Sequence, residues 1–165
     1  MVSAMVPAVV VTIVLAAVGL FAASRRPALV RVAGQSMTPT LADGDRLLAW
    51  RRSRPLRVGD IVVLEAPYPV GVVPHSVAGA LDPPPWQTRP ASAGELDRRW
   101  IVKRIVALPA DVVPPEGAGR LVAGTEVPPG CLVVVGDNPA QSYDSRQAGF
   151  VPADRVLGLV IRRLK

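Results

Sequence analysis

Proline and glycine interrupt this chain so often that, beyond its first 26 residues, little room is left for a long helix. The 18 prolines run from Pro7 to Pro152 and are joined by 14 glycines. Proline lacks the N–H that helix interiors and central strands use, so the backbone favours short strands separated by turns. With 165 residues and an apolar fraction of 50%, the chain can build one compact core and carry one appendage. The predicted architecture is a single, mainly β domain.

The appendage is the first stretch. Residues 2–23 contain no charge and are dominated by Val, Ala, Leu and Ile. At about 1.5 Å per residue, such a run reaches the ~30 Å of a bilayer core and predicts one N-terminal transmembrane helix. Pro7 lies near its start, where a helix tolerates proline. The run is longer than the apolar part of a cleavable leader and no basic residue precedes it, which favours a retained anchor over residues 1–24. Arg25, Arg26 and Arg31 follow it, and the positive-inside rule would hold the remaining domain, residues 28–165, in the cytoplasm.

Strand patterns begin at Leu29-Val30-Arg31-Val32 and continue in Arg46–Trp50, Ile61–Leu64, Trp100–Leu108, Cys131–Val135 and Val156–Ile161, after which Arg162, Arg163 and Lys165 form a basic tail. Residues 66–99 break all periodicity with seven prolines, including Pro83-Pro84-Pro85, and form an irregular excursion within the domain. Trp86, in its middle, packs on the domain or dips into the membrane interface. In Trp100–Leu108, alternation places Ile101, Lys103, Ile105 and Ala107 on one face and Val102, Arg104, Val106 and Leu108 on the other. Each face then carries one cation in apolar company.

The net charge of +6 raises the possibility of nucleic-acid binding, but the arginines are scattered and aromatic residues make up only 4% of the chain. No stacking platform exists, and attraction to an anionic membrane surface explains the charge more economically. Cys131 is the only cysteine and reads as a small buried hydrophobe, so no intrachain disulfide can form. His75 is the only histidine. It excludes a multi-histidine metal site and leaves a Ser-His-Asp triad without an orienting carboxylate. No metal and no cofactor is expected.

Two residues carry the chemistry. Ser36 sits in the tight loop Val32–Asp45, with Met37 beside it, Pro39 stiffening the backbone and Asp43-Gly44-Asp45 turning it into the next strand. A loop serine is commonly mere solvation, since an unassisted hydroxyl is a weak nucleophile. The candidate base follows from which cation the chain uses. Of 19 basic residues only Lys103 and Lys165 are lysines. Arginine cannot be deprotonated in a protein whereas a desolvated lysine can, so an amine kept inside an apolar strand is a candidate general base for Ser36. The strand alone leaves open a lysine that reaches solvent past its neighbours.

Four separated blocks resemble the type I signal peptidases, membrane-anchored Ser-Lys proteases. Ser36-Met37-Thr38-Pro39-Thr40-Leu41 resembles the serine box, and Arg57-Val58-Gly59-Asp60-Ile61-Val62-Val63 is similar to the second. Val102 to Pro109 resembles the lysine box, and Gly136-Asp137-Asn138 through Ser142, Asp144, Ser145, Arg146, Gly149, Val151 and Pro152 follows the last. The resemblance covers the anchor and nearly all of residues 32–158, with the excursion unmatched. It implies a small antiparallel β-barrel or two-sheet catalytic domain, Ser36 as nucleophile and Lys103 as general base. It further implies Ser142 as the hydroxyl that orients the amine and Asp144 with Arg146 as an ion pair holding that loop. Gly34, Gln35 and Met37 would then lie on the oxyanion and substrate side.

Two departures stand out. Gly34 occupies a position where some members carry a hydroxyl, so only backbone donors remain there for an oxyanion. Ala110 replaces the glycine usual after Leu-Pro. The implied activity is removal of signal or leader peptides from precursor proteins at a membrane, with the catalytic domain extracytoplasmic, against the charge order around the anchor. The alternatives are a maturation protease dedicated to one precursor and an inactive, membrane-anchored β binding domain.

Overall fold

The computed structural model of the protein describes residues 27–51, 54–66 and 100–164. The membrane-length run, Arg25 and Arg26, residues 67–99 with His75 and Trp86, and Lys165 lie outside the described residues. Among the described residues no helix is long and apolar enough to cross a membrane.

Seven strands, β1 (Pro27–Arg31), β2 (Arg46–Trp50), β3 (Ile61–Glu65), β4 (Trp100–Ala107), β5 (Cys131–Val135), β6 (Val151–Pro152) and β7 (Val156–Leu164), form one sheet in the order β1-β2-β7-β3-β4-β5-β6. Every pair is antiparallel. The expected antiparallel β domain is therefore a single curled sheet, a half-barrel with β1 and β6 as its edges. Register shifts at Leu48/Ala49, Val63/Leu64 and Ile105/Ala107 supply the bends, since an unmatched residue on one strand kinks it and increases its twist.

Curling buries both faces of the central strands. One core cluster gathers Met37, Leu41, Leu47, Val63, Val102 and Leu157, and a second gathers Val62, Leu64, Ile105, Leu132, Val134 and Leu159. Alternate residues of β3 and β4 thus feed different clusters, as the pleat requires. A third, smaller cluster of Ala107, Val113, Leu121, Val127 and Val133 closes the segment between β4 and β5.

Three features differ from the sequence expectation. Arg162 and Arg163 are not a tail but the end of β7, paired with Leu48 and Leu47 of β2. The two-residue β6, pairing Val151 with Leu132 and Pro152 with Cys131, is too short to show a period. A short helix, α1 (Ser145–Ala148), stands where a polar loop was expected.

The turn after β4 is closed by the Leu108 N–H donating to Asp111 Oδ2 at 2.9 Å and the Asp111 N–H to the Leu108 carbonyl at 3.0 Å. Ala110, between them, has φ of 70°. A Cβ in that left-handed region costs roughly 1 kcal/mol. Ala110→Gly is accordingly expected to stabilise the domain by about 1 kcal/mol, checked as a rise in the denaturant midpoint without change in the slope.

Candidate active site

The Ser36 loop joins β1 to β2 and is tied at its neck and pinned from below. The Val32 N–H donates to the Asp45 carbonyl at 2.8 Å and the Gly44 N–H to that of Val32 at 2.9 Å. Met37 and Leu41, 1% and 4% exposed, sink into the first core cluster while Ser36 between them and solvent is half-buried. Fixing two apolar residues of one turn leaves the intervening backbone little freedom. Met37 is thus a core residue that anchors the loop. Gly34 and Gln35 are exposed; the Gly34 N–H is engaged by Asp43 Oδ1 at 2.8 Å. Among the described residues no hydrogen bond engages the Ser36 N–H.

Lys103 comes from the middle of β4, opposite Val62 of β3, and is 2% exposed. Its Nζ donates to Ser142 Oγ at 2.9 Å, and Ser142 Oγ in turn donates to Asp144 Oδ2 in a short hydrogen bond. Burial drives the ammonium toward its neutral form. Asp144 and Asp137 pull the other way and Arg146 assists burial, leaving the Lys103 pKa at about 8 against an ordinary 10.5.

Asp144 is the hub of the final loop. Burial pushes its carboxyl upward, but bonds from Arg146, Ser142 and the Gly136 N–H outweigh that cost and hold it below the ordinary carboxylate range. Arg146 Nε and Nη2 reach Oδ1 and Oδ2 at 2.9 and 2.6 Å, a two-pronged contact that fixes the plane of the carboxylate. The same side chain caps α1, accepting the Arg146 N–H at 3.2 Å, while Gln147 Oε1 accepts the Asp144 N–H at 3.0 Å. Ser145 Oγ accepts the Val134 N–H at 2.9 Å, which locks this turn to β5.

Gly136, at the end of β5, brings the two halves together. A Cβ built on it would lie 2.3 Å from Ser142 Oγ and 2.5 Å from the Ser36 carbonyl oxygen. The Ser36 main chain and the hydroxyl holding Lys103 therefore close on the same point, and only a residue without a side chain fits between them. Asn138 completes the joint. Its N–H donates to the Ser36 carbonyl at 3.0 Å, and its Nδ2 donates to Gln35 O at 3.2 Å and Thr38 Oγ1 at 3.0 Å. Ser36, Lys103, Ser142, Asp144 and Arg146, dispersed over more than a hundred positions, meet in one place.

Sequence reasoning did not assign a role to Arg104. From the opposite face of β4 it forms a two-pronged pair with Asp137 at 2.8 and 2.6 Å, donates to the Gly59 carbonyl at 2.9 Å and reaches Thr40 Oγ1 at 3.5 Å. The guanidinium beside it keeps Asp137 below the ordinary carboxylate range. One side chain thereby ties all four sequence blocks together, something adjacency to Lys103 alone does not reveal. The cap at Asp144 was legible, because Asp144 and Gln147 have capping-box spacing.

The arrangement holds an amine whose proton affinity is lowered by burial, aimed by a carboxylate-backed serine, close to the main chain of the Ser36 loop. Comparison with known proteins finds that residues 2–122 and 115–164 match the family described as signal peptidase, peptidase S26. The chain is similar to signal peptidase I of Bacillus caldolyticus, 31% identical over 147 residues that cover 78% of this chain and 74% of that protein. It is also similar to a probable signal peptidase I-1 of Synechocystis, 27% identical over 156 residues covering 80% and 68% of the two chains.

Proposed function

The chain belongs to the signal peptidase family, peptidase S26, and is therefore a serine endopeptidase that removes signal peptides from precursor proteins; from that premise we propose that Ser36 is its nucleophile and Lys103 its general base. The observation that carries this reading is the buried Lys103 amine, held by Ser142 and set against the Ser36 backbone across Gly136.

The Ser142 hydroxyl hydrogen is committed to Asp144, so its oxygen faces Lys103 as an acceptor. A neutral amine donating one N–H there is left with its lone pair to turn toward Ser36. Ser36 Oγ attacks the scissile carbonyl, and Lys103 takes the hydroxyl proton and delivers it to the departing amine. Water, deprotonated by the same lysine, then hydrolyses the acyl ester. The Ser36 N–H holds the oxyanion. Gly34 and Gln35, exposed beside it, receive the substrate backbone, and Met37 holds the loop in place. Arg146 offsets the Asp144 charge, which would otherwise favour the ammonium.

Residues 1–24 serve as a single-pass anchor with residues 28–165 as the extracytoplasmic peptidase domain. The charge-free run supports the anchor, and the emergence of precursors on that face supports the placement. A C-terminal tag reached by protease in intact cells checks it; a tag protected until lysis would reverse the orientation.

The pH dependence tests the dyad. Lys103 must be neutral to accept a proton, so kcat/KM for a precursor is expected to climb about tenfold per pH unit below its limb and level off above an apparent pKa of about 8. Asp144, held ionised throughout that range, contributes no second limb. A profile flat from pH 6 to 9 would exclude Lys103 as the base.

A further inference from the structure

The strand ends beside the Ser36 loop carry a cluster of cations that the reaction does not use. Arg31 of β1 lies directly opposite Arg46 of β2, and both are exposed. Like charges facing each other across a strand pair repel. Among the described residues neither forms an ion pair with a carboxylate, whereas Arg163 of β7 reaches Asp45 at 2.9 Å. A cavity of about 520 Å³ opens at this point, lined by Gly44, Asp45, Arg46, Arg163 and Leu164. The Arg31 guanidinium stands at its Gly44 wall, 3.7 Å from where a Cβ on that glycine would be. Three guanidinium groups thus surround one space with a single carboxylate among them.

We propose that this cavity binds the phosphodiester headgroup of a net anionic phospholipid, seating the β1–β2–β7 corner on the membrane surface. An anion between Arg31 and Arg46 turns their repulsion into two charge-assisted contacts. The surroundings fit a lipid better than a free ion. Leu29, 55% exposed, shares the Arg31 face of β1 two residues away, and Ile161, 45% exposed, continues the outer apolar surface on β7. An apolar rim beside a basic pocket matches the boundary between acyl chains and headgroups. β1 runs straight into the Ser36 loop, so a headgroup held here sets that loop at the height where a membrane-borne precursor presents its cleavage site. The proposal rests on the membrane-bound reading but not on the Ser-Lys assignment.

The test uses the full chain in neutral micelles, titrated with short-chain phosphatidylglycerol, short-chain phosphatidylcholine or inorganic phosphate and followed through the Nε–Hε NMR signals of Arg31, Arg46 and Arg163. Saturable shifts are expected with phosphatidylglycerol, about 25-fold tighter than with phosphatidylcholine, from roughly fivefold for each of Arg31 and Arg46. The Arg31→Gln/Arg46→Gln double variant should lose that preference while cleaving precursor in micelles as the parent does, and Arg31→Lys/Arg46→Lys should keep most of it. Equal affinity for the two lipids, equal affinity for free phosphate, or a preference that survives the glutamine variant overturns the proposal. Absent cleavage by the parent chain in the same micelles would instead count against the peptidase assignment and leave the lipid titration readable.

Discussion

Lys103→Met is expected to lower kcat/KM for precursor cleavage by at least about 10⁴-fold while leaving the domain more stable than before. The two effects share one cause. Lys103 titrates at about 8 in the fold against an ordinary 10.5, so between those values the unfolded chain binds more protons than the folded one. Stability carried by this group is present above about pH 10.5 and is lost as pH falls toward 8. At neutral pH the deficit amounts to roughly 3 kcal/mol, an upper bound on what an apolar replacement recovers. Methionine is close to lysine in volume and cannot accept a proton, so it removes the base and the cost together.

Ser36→Ala is expected to match the loss in rate without the gain in stability, since its half-buried side chain carries no comparable penalty. The double variant should be no slower than either single one, because a nucleophile and its base act as a unit and losses in such units do not add. Turnover of a precursor and thermal midpoints at pH 7 and pH 10 measure both quantities. Undiminished cleavage by either single variant would remove the dyad. A Lys103→Met protein that gains no stability at pH 7 would show that burial does not lower the Lys103 pKa in the fold.

Asp144→Ala is expected to carry the largest stability loss in the site, about 3–5 kcal/mol, the range for deleting one partner of a buried ion pair. Its carboxylate satisfies the Gly136 N–H, caps α1, receives the Ser142 hydroxyl and pairs with Arg146, and its side chain is fully buried in that pair. Removal leaves a buried N–H and a guanidinium without their acceptor. The rate should fall by about 10²–10³-fold, because Ser142 no longer has a fixed direction and an amine without an acceptor is not aimed. The pH profile separates aiming from simple unfolding. With Asp144 gone and Arg146 still near, the Lys103 ammonium is further disfavoured, so the limb of the residual activity should lie below 8. Adding Arg146→Met should recover part of the stability and move the limb back upward. A residual profile unmoved from the parent's would mean that Asp144 supports the fold without acting on the lysine.

Much of this was readable before any coordinates. Proline spacing argued for short strands separated by turns, and β2 and β5 begin and end where the apolar runs do. The contrast between two lysines and a chain full of arginine singled out Lys103, because the property at stake, whether a cation can give up its proton, belongs to the side chain itself. Capping-box spacing at Asp144 and Gln147 marked a helix start that goes unnoticed when the segment is read only as polar.

Tertiary structure alone decided the rest. Alternation says that Lys103 and Arg104 face opposite ways, but not that Lys103 is sealed to 2% exposure while Arg104 bridges Asp137, Gly59 and Thr40. That Arg162 and Arg163 extend β7 depends on a free edge of β2 waiting to be paired, which no local pattern encodes. The same holds for Gly136, an ordinary strand-end glycine in the sequence and, in the fold, a point where the Ser36 backbone and Ser142 approach too closely for a side chain. Residue chemistry is a local property, and a sequence displays it. Burial and proximity arise only when distant segments exclude water from one another, and they exist only in the folded chain.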